Sequence, residues 1–197
     1  MRETPPSIPN LTPREHQAIQ AVLDRIAELA RFLGHNPVPM DATSADLYSY
    51  LARMKNIQGN TDNGVSLVAC LMAKEYLNRH LEMAPFDIAL KPQGAAGLDI
   101  DERTIAGSRV VAEVKTTVPY QPNDLGAQQK AMFKKDFAKL NAAQSPHRFF
   151  FVTHPRTFDI MRSKYANEIP GITVVLLPGG QAFVTPDLPP TYEPREP

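Results

Sequence analysis

Apolar residues recur at steps of three and four through "LTPREHQAIQAVLDRIAELARFLGH", at Ile19, Val22, Ile26, Leu29 and Leu33. That spacing predicts a helix over Thr12 to Leu33. Thr12 is its N-cap, Pro13 takes the first helical position, Glu15 is placed to close a capping box and Gly34 is a stop. The stripe either packs on the protein's own core or contributes to a dimer seam, and it is too short for a coiled coil. A second helix is expected over Ala45 to Lys55 and a third through "NGVSLVACLMAKEYLNRHL", with the Gly, Asn and Asp of "KNIQGNTDNG" marking a loop between them.

The pattern then shortens. "FDIAL" (86–90), "LDIDE" (98–102) and "RVVAEVKTT" (109–117) read as three strands, separated by the turn-like "KPQGAAG" and "RTIAGS". "DLGAQQKAMFKKDFAKLNAAQ" reads as a helix with Met132, Phe133, Phe137 and Leu140 on one side. "RFFFVTH" is an expected strand, "RTFDIMRSKYANEI" a helix, and "GITVVLLP" a last strand entered from a Pro170-Gly171 turn. Helix, three strands, helix, strand, helix, strand describes an α/β fold, a mixed sheet with helices on its faces and an N-terminal helical extension. The proline-rich ends read as an extended arm over 1–10 and a tail over 179–197. Between them a single domain is expected over 11–178, its helical part 11–64 and its core 65–178.

Composition narrows this picture. A chain of 197 residues with 43% hydrophobic content can bury a core of its own. The single cysteine, Cys70, has no partner in the chain, which points to a reducing compartment. No basic segment leads into an apolar stretch, and the longest apolar runs are too short to span a bilayer, so a cytoplasmic protein without a membrane partner is expected. Net charge is zero, but residues 109 to 164 carry ten Lys or Arg against four acids. A basic region of that kind attracts phosphate, although solvated helix faces also carry lysine. No P-loop, dinucleotide fingerprint, zinc-finger spacing or nucleophile elbow is present, and His147 and His154 flank a strand without the spacing of a histidine metal motif.

The chemistry concentrates in "GLDIDERTIAGSRVVAEVKTT". Side chains alternate along a strand, so Glu113 and Lys115 share one face while Ala112, Val114 and Thr116 take the other. Asp99 and Asp101 likewise share a face of the preceding strand. A hairpin centred on Ala106 sets Asp99 opposite Glu113, and one centred on Gly107 sets Asp101 there; either brings two carboxylates and an ammonium together. Two such carboxylates repel unless a cation lies between them, and hard oxygen ligands suit Mg²⁺. The lysine then serves to activate water or to stabilise charge developing on phosphorus. The bland alternative is a surface strand with a salt-bridged Glu and Lys.

These residues resemble the PD-(D/E)XK nuclease superfamily: an acid-bearing strand, a short turn, and Glu113-Val114-Lys115 as the E-x-K. Leu98 stands where the family name has proline. The resemblance covers about Val65 to Pro178 and implies a restriction endonuclease-like core. It implies Asp99 and Glu113 as metal ligands, with Asp101 in reserve for the first acid, the Val114 carbonyl as a further ligand, and Lys115 beside the attacking water. It also suggests Glu75, from the helix before the strands, as another ligand, Gln128 as a polar residue that enters the site or contacts the DNA, and Lys130 and Lys134 as contacts to the DNA backbone. Mg²⁺ is the implied cofactor, with Mn²⁺ able to substitute. The implied activity is that of a type II restriction endonuclease, a homodimer acting on double-stranded DNA beside a cognate DNA methyltransferase. A structure-selective or non-specific repair or defence nuclease, and a DNA-binding module that does not cut, are the alternatives.

Overall fold

The structure is a computed structural model and describes residues 8, 10–38, 40–91 and 95–186. The chain divides into two compact units, Met1–Val65 with Ala89–Gln93 and Ser66–Ile88 with Gly94–Pro197.

The first unit is built on two capped helices. In α1 (Pro13–His35) Thr12 and Glu15 form the expected capping box, and in α2 (Ser44–Gln58) Thr43 and Asp46 form another. Phe32 of α1 packs against Tyr50 of α2, and Arg53 lies over the Phe32 ring. The buried positions of α1 include Ile19 and Phe32, whereas Ile26 and Leu33 are exposed. The anticipated stripe is therefore only partly the packed one.

The second unit holds a five-stranded mixed sheet in sequential order: β1 (Ile100–Arg103), β2 (Arg109–Lys115), β3 (His147–Val152), β4 (Thr173–Leu176) and β5 (Gln181–Val184). Outer pairs β1–β2 and β4–β5 are antiparallel, while β2–β3 and β3–β4 are parallel. Helix α3 (Thr61–His80), which begins in the first unit, covers one face through Ala73, Tyr76 and Leu77 against Val110, Ala112, Phe149 and Phe151. The other face carries α4 (Ala127–Ala142) and α5 (Pro155–Ile160), packed through Phe133, Phe137, Leu140 and Phe158 on Val111, Phe150, Val152 and Val174. The uninterrupted apolar run of β3 follows from this: a central parallel strand is buried on both faces.

Three expectations change. "FDIAL" is not a strand: Ile88–Leu90 is a 3-10 turn, and the Phe86 carbonyl accepts a 2.7 Å hydrogen bond from Lys74 Nζ. What remains of a third meander strand is a single bridge, Met83 to Thr104. The tail expected from 179 contains β5, whose Phe183 packs on Phe158, and its short, largely exposed pattern gave no period to detect. Met132, expected on the buried side of α4, is exposed. Most of the expected arm and residues 187–197 of the tail lie outside the described residues.

Candidate functional site

The β1–β2 turn fixes the site. Gly107 adopts φ +86°, a conformation that L side chains rarely take, and its N–H bonds the Thr104 carbonyl. The resulting register pairs Ile100 with Ala112 and Asp101 with Val111. The hairpin is thus centred on Ala106, and Asp99, one residue before β1, stands opposite Glu113. Asp99 Oδ2 accepts the Val114 N–H at 2.8 Å. A strand residue's N–H and C=O leave on the same side, so the Val114 carbonyl also opens toward the Asp99 edge. In the adjacent residue, the Lys115 carbonyl points the other way and accepts from Thr153 N in the β3 direction.

Glu113 and Lys115 project onto the α4 face, where α4 meets them with two charged side chains. Lys139 Nζ lies 2.9 Å from Glu113 Oε1 and 2.9 Å from Asp136 Oδ1. Lys115 Nζ lies 2.6 Å from Asp136 Oδ2. Glu113 is only 1% exposed, while Asp99 is exposed. Fully ionised, these three carboxylates and two ammoniums carry one excess negative charge.

Burial pushes the Glu113 carboxyl up to about 8, with the Asp99 charge adding to the effect and the hydrogen bond from Lys139 opposing it. Burial works against the charge on Lys139, but its bonds to Asp136 and Glu113 outweigh this and hold the ammonium above the ordinary lysine range. The Cys70 thiol of α3 is pushed up to about 12, first by burial and then by Asp99 and Glu113, with Lys115 opposing. Burial thus favours the thiol over the thiolate.

The remaining sequence candidates disperse. Asp101 turns outward and forms a two-bond pair with Arg109. Glu75 lies on α3, whose Ala73, Tyr76 and Leu77 pack on the Ala112 face of the sheet, whereas Glu113 meets Lys139 of α4. Cys70 is the α3 side chain near the site charges, and five residues further on Glu75 is rotated by about 140°. Gln128 is exposed, and its neighbour Gln129 is the buried one. Gln129 Oε1 accepts from Tyr120 N and Gly126 N, and its Nε2 donates to the Val118 carbonyl. Lys130 pairs with Asp124, which Tyr165 and Lys164 also approach, and Lys134 is exposed.

Asp136 and Lys139 were not read from sequence. One signal for them exists: Asp136 sits three residues after Phe133 and directly before Phe137, so a carboxylate lies within the apolar stripe of α4.

Among the described residues no group of three or more His, Cys, Asp or Glu gathers as a metal cage. The donor set nonetheless fits Mg²⁺, which binds through one or two carboxylates and completes its shell with water and substrate oxygens. Asp99, Glu113 and the Val114 carbonyl supply hard oxygens on one strand end with net negative charge. Among the described residues no helix is long and apolar enough to cross a membrane. No protein-family model, curated protein or solved structure matches the chain.

Proposed function

We propose that the chain is a divalent-cation-dependent phosphodiesterase on a restriction endonuclease-like core. Within that class, the reading the site supports best is a type II restriction endonuclease that cuts double-stranded DNA as a homodimer. The observation that carries it is the register that sets Asp99 opposite Glu113, with Lys115 on the same face and the Val114 carbonyl on the same edge. The crossover from β2 through α4 to the parallel β3 supports the core assignment.

In this reading Asp99, Glu113 and the Val114 carbonyl hold Mg²⁺ or Mn²⁺. When bound, the ion neutralises phosphate charge and lowers the pKa of the attacking water. Lys115 presents its ammonium beside the scissile phosphate, aimed by Asp136 at 2.6 Å, and Lys130 and Lys134 contact the DNA backbone. A cytoplasmic location and a partner methyltransferase belong to the same proposal.

The test is incubation of purified protein with plasmid and phage DNA in Mg²⁺ or Mn²⁺, with EDTA and Lys115→Ala controls, followed by sequencing of fragment ends. Discrete fragments that vanish in both controls are expected. A metal-dependent smear would identify a non-specific nuclease. Lys139 on Glu113 gives a second reading some footing, a binding module whose carboxylates are neutralised internally; intact DNA under all conditions, with folded protein, would make it the leading reading.

A further inference from the structure

Glu113 is buried, yet a second carboxylate, Asp99, stands across the strand pair from it. Such an anion is strongly disfavoured without a cation in contact. Lys139 supplies that cation from within the chain, at 2.9 Å.

Two features make Lys139 suited to leaving. Its side chain is 31% exposed against 1% for Glu113, so it reaches the surface where Glu113 does not. It is also already bonded to Asp136 Oδ1 at 2.9 Å. Moving away from Glu113 therefore gives up one charged partner and keeps the other.

We propose that Lys139 is an exchangeable counter-cation: it holds the Glu113 carboxyl by a hydrogen bond and, once that group is ionised, by charge, until a divalent ion takes it, then withdraws onto Asp136. The proposal rests on the metal-centre reading above. It makes Lys139 a positioning residue that sets the ion concentration at which the site fills. An ammonium a few ångströms from a metal ligand opposes a divalent charge by an amount worth tenfold or more in affinity.

The experiment is calorimetric titration of Ca²⁺ and Mn²⁺, without DNA, into the wild-type protein, Lys139→Gln, Lys139→Arg and Asp99→Asn. Lys139→Gln is expected to bind about tenfold more tightly than wild type, Lys139→Arg to resemble wild type, and Asp99→Asn to lose saturable binding. Equal affinity in wild type and Lys139→Gln would overturn the counter-cation while leaving the metal centre in place. Absence of saturable binding in both would remove the metal centre, and the counter-cation with it.

Amine labelling of wild-type Lys139, read by mass spectrometry with and without Mn²⁺, covers the case in which the variants do not fold. Labelling should rise when Mn²⁺ is bound. Unchanged labelling with the ion bound would overturn the proposal.

Discussion

Asp99 Oδ2 holds the main-chain N–H of Val114 at 2.8 Å, a side chain doing what a strand carbonyl would have done one residue before β1 begins. That bond pins the carboxylate beside the edge onto which the Val114 carbonyl opens. Asp99→Asn retains an oxygen able to accept the N–H but removes the charge. We expect the variant to fold with stability equal to or above wild type, since repulsion of Glu113 is relieved, and to lose saturable Ca²⁺ binding in the same titration. Thermal melts paired with calorimetry check both halves.

Glu113 gives a pH signature. Its carboxyl rises from the ordinary 4.5 to about 8 in the folded chain, chiefly through burial and then through Asp99. Between those two values the folded protein keeps a proton that the unfolded chain releases, so this residue's contribution to stability is complete below the lower value and lost as pH rises through the upper. Urea midpoints of the wild-type protein without divalent ions should therefore carry a declining component across that window, and Glu113→Gln should lack it. Identical slopes for the two proteins would mean that Glu113 titrates normally.

Asp136 is a test of the α4 contribution. It is 5% exposed and accepts from both Lys115 and Lys139. Asp136→Ala removes their shared acceptor and should cost about 2 kcal/mol in urea denaturation. If the proposed nuclease activity holds, kcat in a cleavage assay should fall with KM little changed, because Lys115 loses its orientation while the proposed DNA contacts are untouched.

Lys134 and Asp101 separate backbone contact from structure. Lys134 is exposed on α4; if the chain binds DNA as proposed and Lys134 contacts its backbone, Lys134→Ala should weaken binding equally for all sequences and reduce the salt slope by about one. Asp101 is engaged by Arg109 on the surface; Asp101→Ala should leave DNA binding unchanged and alter stability by about 1 kcal/mol or less. Fluorescence anisotropy across a salt series, with denaturation of both variants, gives the comparison.

What the sequence determined was periodicity: the two-residue alternation that sets Glu113 and Lys115 on one face, and the three-and-four spacing that makes Phe133, Phe137 and Leu140 the buried side of α4. Caps at Thr12 and Glu15 were legible for the same reason, since their partners lie within one turn. The register between Ala106 and Gly107 was not, because both centres satisfy the alternation; the folded turn at Gly107 chose Ala106. Likewise Gln128 and Gln129 differ by one residue but by about 100° around a helix, and only packing against the sheet decides which is buried. "FDIAL" alternates well enough for a strand, yet the Phe86 carbonyl is taken by Lys74, twelve residues away in the chain. Asp136 and Lys139 joined the site on the same terms: a local pattern says which way a side chain faces, and the tertiary structure decides what it meets, since the charges it meets there come from distant parts of the chain.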